Sequence, residues 1–105
     1  MIGRFWTGWT APDRAEAYDT LLRTTIFPGI LARGIPGLRR IELFRRDGSD
    51  EVAFVTLMVF DDMAAVAAFA GTDVDTAVVP PAARALLSRF DATSAHYTIR
   101  ARHDA

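Results

Sequence analysis

The sequence predicts an α+β fold in which an antiparallel β-sheet packs against helices on one face. Three observations predict it. Segments with the length and composition of β-strands recur four times along the 105 residues. Two longer segments with apolar residues at helical spacing follow the first and the third of these strands. An Asp47-Gly48 turn joins the second strand to the third, which makes them antiparallel neighbours.

The first strand and the first helix occupy the start of the chain. Residues 2–9 are rich in aromatic and small residues and predict the strand. The stretch "TAPD" supplies a capping threonine and a first-turn proline for the helix, whose apolar side includes Tyr18. The Pro28-Gly29 pair is expected to end or kink this helix, and "GIPG" at 34–37 stops it.

The second and third strands form the predicted hairpin. The second strand is expected over residues 38–45 and the third over residues 51–60. The third strand, "EVAFVTLMVF", is apolar at nearly every position instead of alternating. Such a pattern is typical of a central strand that is covered on both of its faces.

The remaining elements are a helix, a loop, a further helix and a closing strand. An aspartate at 61 or 62 is expected to cap the helix that follows the hairpin, and Gly71 to end it. After a loop, Pro80-Pro81 opens a helix that is expected to continue to Phe90. Residues 93–102 predict the fourth strand.

The resulting order, βαββαβ with one extra helix, is the split βαβ or ferredoxin-like arrangement: a four-stranded antiparallel sheet with helices on one face. The chain, predicted to be one domain over residues 1–105, has no spare element to cover the other sheet face. The apolar third strand nevertheless requires a cover there. A second copy of the same sheet would supply it, so we expect a homodimer.

Composition excludes several classes of function. The net charge of −1 gives no basic surface for nucleic acid, and no apolar run approaches the length that spans a membrane. The chain has no cysteine, which excludes disulfides and thiolate chemistry and fits a reducing compartment. The N-terminal segment has the pattern of a strand and not of a signal peptide. We therefore expect a cytoplasmic protein without nucleic-acid or membrane partners.

Three stretches resemble the antibiotic biosynthesis monooxygenase-like family of dimeric α/β barrels: "RFWTGW", "FAGTDVDTAVVPPAARALL" and "HYTIR". The resemblance implies the same fold and dimer, and a role with small aromatic or polyketide-like molecules. Its members include cofactor-independent oxygenases of polyketide-derived quinols and haem-degrading enzymes. This chain has no asparagine, and neither of its histidines lies on a predicted helix. Both departures argue against haem degradation, and the missing asparagine also weakens the quinol oxygenase interpretation.

The candidate catalytic residues are His96 and Arg4, and the candidate substrate-binding residues are Trp6, Arg100 and Tyr18. Strand alternation places His96 and Arg100 on one face of the last strand, while Arg4 and Trp6 share a face of the first. The first and last strands are neighbours in a ferredoxin-like sheet, so these faces could coincide. An arginine could then stabilise a phenolate or enolate, His96 could move a proton and Trp6 could stack on the ring.

A purely structural interpretation of the same residues remains open. His96 could be a hydrogen-bonded packing or interface residue, and Arg4 and Arg100 could pair with Glu42 across a dimer interface. The tryptophan and Tyr18 could simply pack in the core.

No glycine-rich phosphate loop and no set of metal ligands occurs, so no cofactor and no metal are expected. The predicted function is a small-molecule enzyme resembling cofactor-independent monooxygenases. The alternative is a non-enzymatic ligand-binding or stress-associated homodimer.

Overall fold

The structure, a computed structural model, describes residues 1–105 and contains five strands and four helices. The strands are β1 (Ile2–Thr10), β2 (Leu38–Asp47), β3 (Val52–Phe60), β4 (Arg89–Phe90) and β5 (Ala95–Thr98). The helices are α1 (Ala15–Leu21), α2 (Phe27–Ala32), α3 (Met63–Ala70) and α4 (Pro81–Arg84). A 3-10 turn over Pro12–Arg14 precedes α1, and a π-helical turn over Leu22–Ile26 joins α1 to α2. None of the helices has both the length and the apolar character needed to cross a membrane.

The strands form one antiparallel sheet in the order β2-β3-β1-β4, and β5 also pairs with β1. The ferredoxin-like α+β architecture with helices on one face is thereby confirmed. The predicted fourth strand is wrong in its extent, since two short strands share the free edge of β1. The predicted last helix is also too long: it ends at Arg84, and Phe90 lies in β4. Ser88 and Asp91 donate their backbone N–H groups to β1 carbonyls, which draws this segment onto the sheet.

The first helix continues past the Pro28-Gly29 pair with a local widening. Proline has no N–H to donate to the carbonyl four residues back, and its ring would clash with that carbonyl. The backbone adapts before Pro28: the Phe27 N–H reaches the carbonyl of Leu22, five residues back. Thr24 also turns its hydroxyl onto the Thr20 carbonyl at 2.7 Å. The predicted kink is therefore a π-helical turn, a feature often found where a helix borders a functional site.

Two apolar clusters fill the space between helices and sheet. Tyr18 and Phe54 form the centre of the first, with their ring centroids 4.9 Å apart in an edge-on arrangement. The second cluster includes Phe60 of β3 and Phe69 of α3. We call the side of the sheet that carries these residues the inner face. A pocket lies on this face, with members of both clusters in its lining.

The loop before β2 and the start of α3 are held closely together. Of the two candidate caps, Asp62 is the one used: its Oδ1 accepts the Ala65 N–H at 2.9 Å. Gly37 has a φ of 85°, and a Cβ atom there would lie 2.7 Å from the Cβ of Ala65. Glycine is thus required at position 37 both by the backbone conformation and by the close approach of α3.

The opposite side of the sheet, which we call the outer face, carries exposed apolar side chains. Phe5, Phe44, Tyr97 and Ile99 lie there, and Phe5 and Tyr97 contact each other edge to face at 5.6 Å. Phe44 is 49% exposed and Tyr97 60% exposed. The apolar character of β3 on both faces therefore continues into its neighbouring strands.

Candidate functional site

The candidate site is an apolar pocket between the inner sheet face and the helical segment that contains the π-helical turn. Eleven of its fifteen lining residues are hydrophobic. The sheet contributes Arg4 and Trp6, and the helical segment contributes Tyr18, Leu22 and Ile26 among others. The π-helical turn thus forms part of the wall. Such a lining suits a small apolar ligand with a few oriented polar groups.

The pocket is narrow as it stands. Its volume is about 60 Å³, whereas an engineered cavity of about 150 Å³ is known to admit benzene. The exposed Val78 marks its solvent side. A ligand with an aromatic ring must therefore displace side chains of the wall as it enters.

Arg4 is the charged group of the pocket and is 3% exposed. Its Nη1 donates to the Val74 carbonyl and to Nε2 of His96, the latter at 2.8 Å. Its Nη2 donates to the Thr76 carbonyl at 3.2 Å, and the guanidinium lies 5.6 Å from the centre of the Phe69 ring. Burial lowers the pKa of Arg4, yet a guanidinium remains charged at neutral pH.

His96 lies behind Arg4 and does not line the pocket. Its Nδ1 is 3.3 Å from Oδ1 of Asp75 while its Nε2 accepts from Arg4. A neutral imidazole with its proton on Nδ1 satisfies both contacts. Burial lowers the pKa of His96, and the charge of Arg4 lowers it further, against the opposing effect of Asp75. His96 is therefore neutral at pH 7, with both ring nitrogens engaged.

The predicted site residues separate into three groups. Arg4, Trp6 and Tyr18 line the pocket. His96 pairs directly with Arg4 across the sheet, as expected of neighbouring first and last strands, but reaches the pocket only through it. Arg100 lies beyond the end of β5, is exposed, and takes no part in the pocket.

Trp6 and Tyr18 both pack against neighbouring side chains and line the pocket. The indole Nε1 of Trp6 donates to the Asp91 carbonyl at 2.7 Å, so its ring, and not its N–H, is left for a ligand. Tyr18 is buried against Phe54. Burial raises the pKa of Tyr18 to about 12. The phenol is therefore protonated at neutral pH and can act as a hydrogen-bond donor but not as a base.

Four further lining residues, two with hydroxyl groups and two valines, were missed by sequence reasoning. Ser94 and Thr56 bring hydroxyl groups to the lining, and the loop contributes Val78 and Val79. Ser94 lies two residues before His96, on the same face of the predicted last strand, and Thr56 is the cross-strand partner of Trp6, so alternation contained a signal for both. The apolar run "AVVPP" within a loop was the signal for the valines.

The loop over residues 71–80, which we call the strap, is fixed at its centre by several contacts. Thr76 forms a bridge with Thr93, and the Ser94 N–H bonds the Asp75 carbonyl at 2.8 Å. Arg4 adds its bonds to the carbonyls of Val74 and Thr76. Arg4 therefore both borders the pocket and holds one of its walls. No three His, Cys, Asp or Glu side chains lie close enough together to form a metal site.

Comparison with known proteins supports the fold and leaves the family open. No family model matches the chain, and no curated protein matches it in sequence. Among solved structures, an EthD-family protein from Bacillus halodurans C-125, whose description refers to ethyl tert-butyl ether, is similar with a TM-score of 0.54. The alignment covers 94% of this chain and 99% of that one at 21% identity. The resemblance to the antibiotic biosynthesis monooxygenase-like family remains a prediction.

Proposed function

We propose that the protein binds a small aromatic or polyketide-like molecule in the pocket between sheet and helices. The single observation that carries this proposal is an apolar pocket with one buried cation, Arg4, in its wall. The apolar lining favours the body of such a molecule, and Trp6 offers a ring surface beside it. Arg4 would bind an oxygen of the ligand.

The activity proposed for this site is a cofactor-independent oxygenation. A ligand that arrives as its enolate or phenolate would form a carbon–oxygen bond to O₂ through a ring carbon that still bears a hydrogen. The peroxide anion formed would take a proton from water to give a hydroperoxide. Loss of water from the resulting hydroperoxide leaves one oxygen atom in a product carbonyl and the other in water. Arg4 would stabilise the anion. His96, with both nitrogens engaged, would orient Arg4 and would not remove the proton.

A second candidate, ligand binding without turnover, is favoured by the lack of a suitable base among the lining residues. Tyr18 has a pKa of about 12, and the hydroxyls of Ser94 and Thr56 are poor proton acceptors. A substrate that must be deprotonated would find no group here to do so. The oxygenase is therefore restricted to substrates that arrive already ionised, and ligand binding without turnover is the second candidate.

The test is a thermal-shift screen with quinols, anthrones, flavins and haem, followed by oxygen uptake with any ligand that stabilises the protein. We expect at least one ligand of this screen to raise the melting temperature, and Arg4→Gln to reduce that shift. The exposed Arg100→Gln serves as the control and should bind as the wild type does. Uptake of one O₂ per substrate supports the oxygenase, and stabilisation without uptake supports the binding protein. A screen in which no compound stabilises the protein contradicts the proposal.

We also propose that the protein is a homodimer whose subunits meet through their outer sheet faces. The exposed Phe5, Phe44, Tyr97 and Ile99 all lie on that face, and three of them, Phe5, Tyr97 and Ile99, line a recess there. A contiguous apolar surface of this kind is unfavourable in water and is usually covered by a partner. A second copy of the chain related by a two-fold axis would cover it.

Tyr97→Asp is expected to convert this dimer to a monomer, because it would bury a carboxylate in an apolar interface without a partner. Leu31→Asp is the matched control, since Leu31 is equally exposed but belongs to α2 on the helical side. Light scattering after size exclusion gives the mass of each variant. A wild-type protein that is monomeric at micromolar concentration, or dissociation by Leu31→Asp alone, would contradict the proposed interface.

A further inference from the structure

Arg4 is a buried cation without a carboxylate partner. More exposed arginines elsewhere in the chain have one: Arg39 bonds Asp61, and Arg89 bonds Glu51. The guanidinium of Arg4 has no carboxylate within 4 Å and is bonded to two backbone carbonyls and a neutral imidazole. A buried charge without an opposite charge is costly, and folded proteins usually pair it.

The guanidinium has hydrogen-bonding capacity left over. Three of the five N–H groups of an arginine are used here, two on Nη1 and one on Nη2. The Nε–H and one Nη2–H form no hydrogen bond, and Nε and Nη2 lie along one edge of the planar guanidinium. Such an edge matches the two oxygens of a carboxylate or the oxygens of a planar enolate.

Asp75 compensates the charge of Arg4 incompletely. It raises the pKa of Arg4 through space, but burial is the larger effect and lowers it. The Asp75 carboxylate contacts His96 and not Arg4, and its side chain is 69% exposed. Water therefore screens much of its field at the guanidinium. The pocket side of Arg4 lacks a negative charge of comparable burial.

We propose that the pocket binds a planar organic oxyanion that is already ionised before it enters, through the Nε–Nη2 edge of Arg4. This inference rests on the proposed function and narrows its ligand class. An aryl carboxylate or a strongly acidic enol fits the class, whereas a weakly acidic phenol does not, because the lining offers no base to ionise it. The ligand would supply the missing counter-charge of Arg4.

The test compares benzoate, benzamide and phenol, single-ring probes chosen because the pocket is narrow. Each is titrated at pH 7.5 into ¹⁵N-labelled full-length protein and followed by NMR. We expect benzoate to bind about tenfold or more tightly than the other two probes. We also expect benzoate to shift the Nε–H resonance of Arg4. Arg4→Met should bring benzoate and benzamide to equal affinity, and Arg100→Met should preserve the difference.

Two other results of the titrations would overturn the inference. If benzamide or phenol binds as tightly as benzoate, the inference is overturned while an aromatic pocket survives. If none of the three binds, the inference is overturned, and a negative thermal-shift screen would then remove the proposed function as well. Should Arg4→Met fail to fold, the wild-type preference and the Arg4 Nε–H shift decide the question without it.

Discussion

Phe54→Ala is expected to lower the free energy of unfolding by about 3–5 kcal/mol, a large share of the ~5–15 kcal/mol typical of a whole domain. Phe54 is 0% exposed and belongs to the central strand β3. Its ring packs edge-on against Tyr18, and the guanidinium of Arg45 lies 5.7 Å from its ring centre. Truncation would leave a cavity that the strands and α1 cannot readily close. Urea unfolding followed by circular dichroism measures the loss.

Phe44→Ala is the matched control because Phe44 is the same residue type on the other side of the same sheet. It pairs with Val55 on the outer face and is half-exposed. We expect a loss below about 1 kcal/mol in the monomer. Any larger loss should depend on protein concentration, since it would arise from the dimer. If both variants lost the same free energy of unfolding at every protein concentration, Phe54 would not be more deeply buried than Phe44, and the prediction would be contradicted.

The alternation of residues along strands predicted which side chains of the candidate site share a strand face. Arg4 and Trp6 were placed on one face of β1, and the ferredoxin-like order made β1 and the last strand neighbours. The register and the sheet face of His96 stayed open in the sequence, and the structure pairs Arg4 with His96. A cap at Asp61 or Asp62 and an end or kink of the helix at Pro28-Gly29 were predicted for a different reason, and the structure uses Asp62 and a π-helical turn. Each depends on a few adjacent residues whose local chemistry decides the outcome.

The hydrogen bonds of Arg4, which decide the role of His96, could not be predicted from local sequence. The side chain of Arg4 bonds carbonyl oxygens of Val74 and Thr76, about seventy residues away. Every residue has a carbonyl, so the sequence contains no signal for which one is used. The bounds of the short strands β4 and β5 could not be predicted either, because they depend on which residues after α4 pair with β1. Arg100 was misplaced because the predicted strand extended past Thr98, where pairing ends.

The stability of the protein is expected to depend on pH through His96. Its pKa is lowered in the folded state, mainly by burial and then by Arg4, from an ordinary value of about 6.5. The unfolded chain therefore binds a proton more readily than the folded one, and acid favours unfolding. The contribution of His96 is present above about pH 6.5 and is lost as the pH falls through the lowered folded pKa. Asp61 and Glu51, whose pKa values are lowered by their arginine partners, lose their contributions below about pH 4.5.

His96→Ala separates the contribution of His96 to the pH dependence of stability from the contributions of the carboxylates. At pH 7.5 the substitution leaves an N–H of buried Arg4 without its acceptor and should cost about 1–3 kcal/mol. At pH 5 the wild type has itself lost part of that contribution, so the difference between the two proteins should shrink. His103→Ala, in the exposed tail, should follow the wild-type profile. The urea midpoint of each of the three proteins is measured at pH 5, 6, 6.5 and 7.5. Parallel curves for the wild type and His96→Ala would mean that the Arg4–His96 bond does not control the loss of stability in acid.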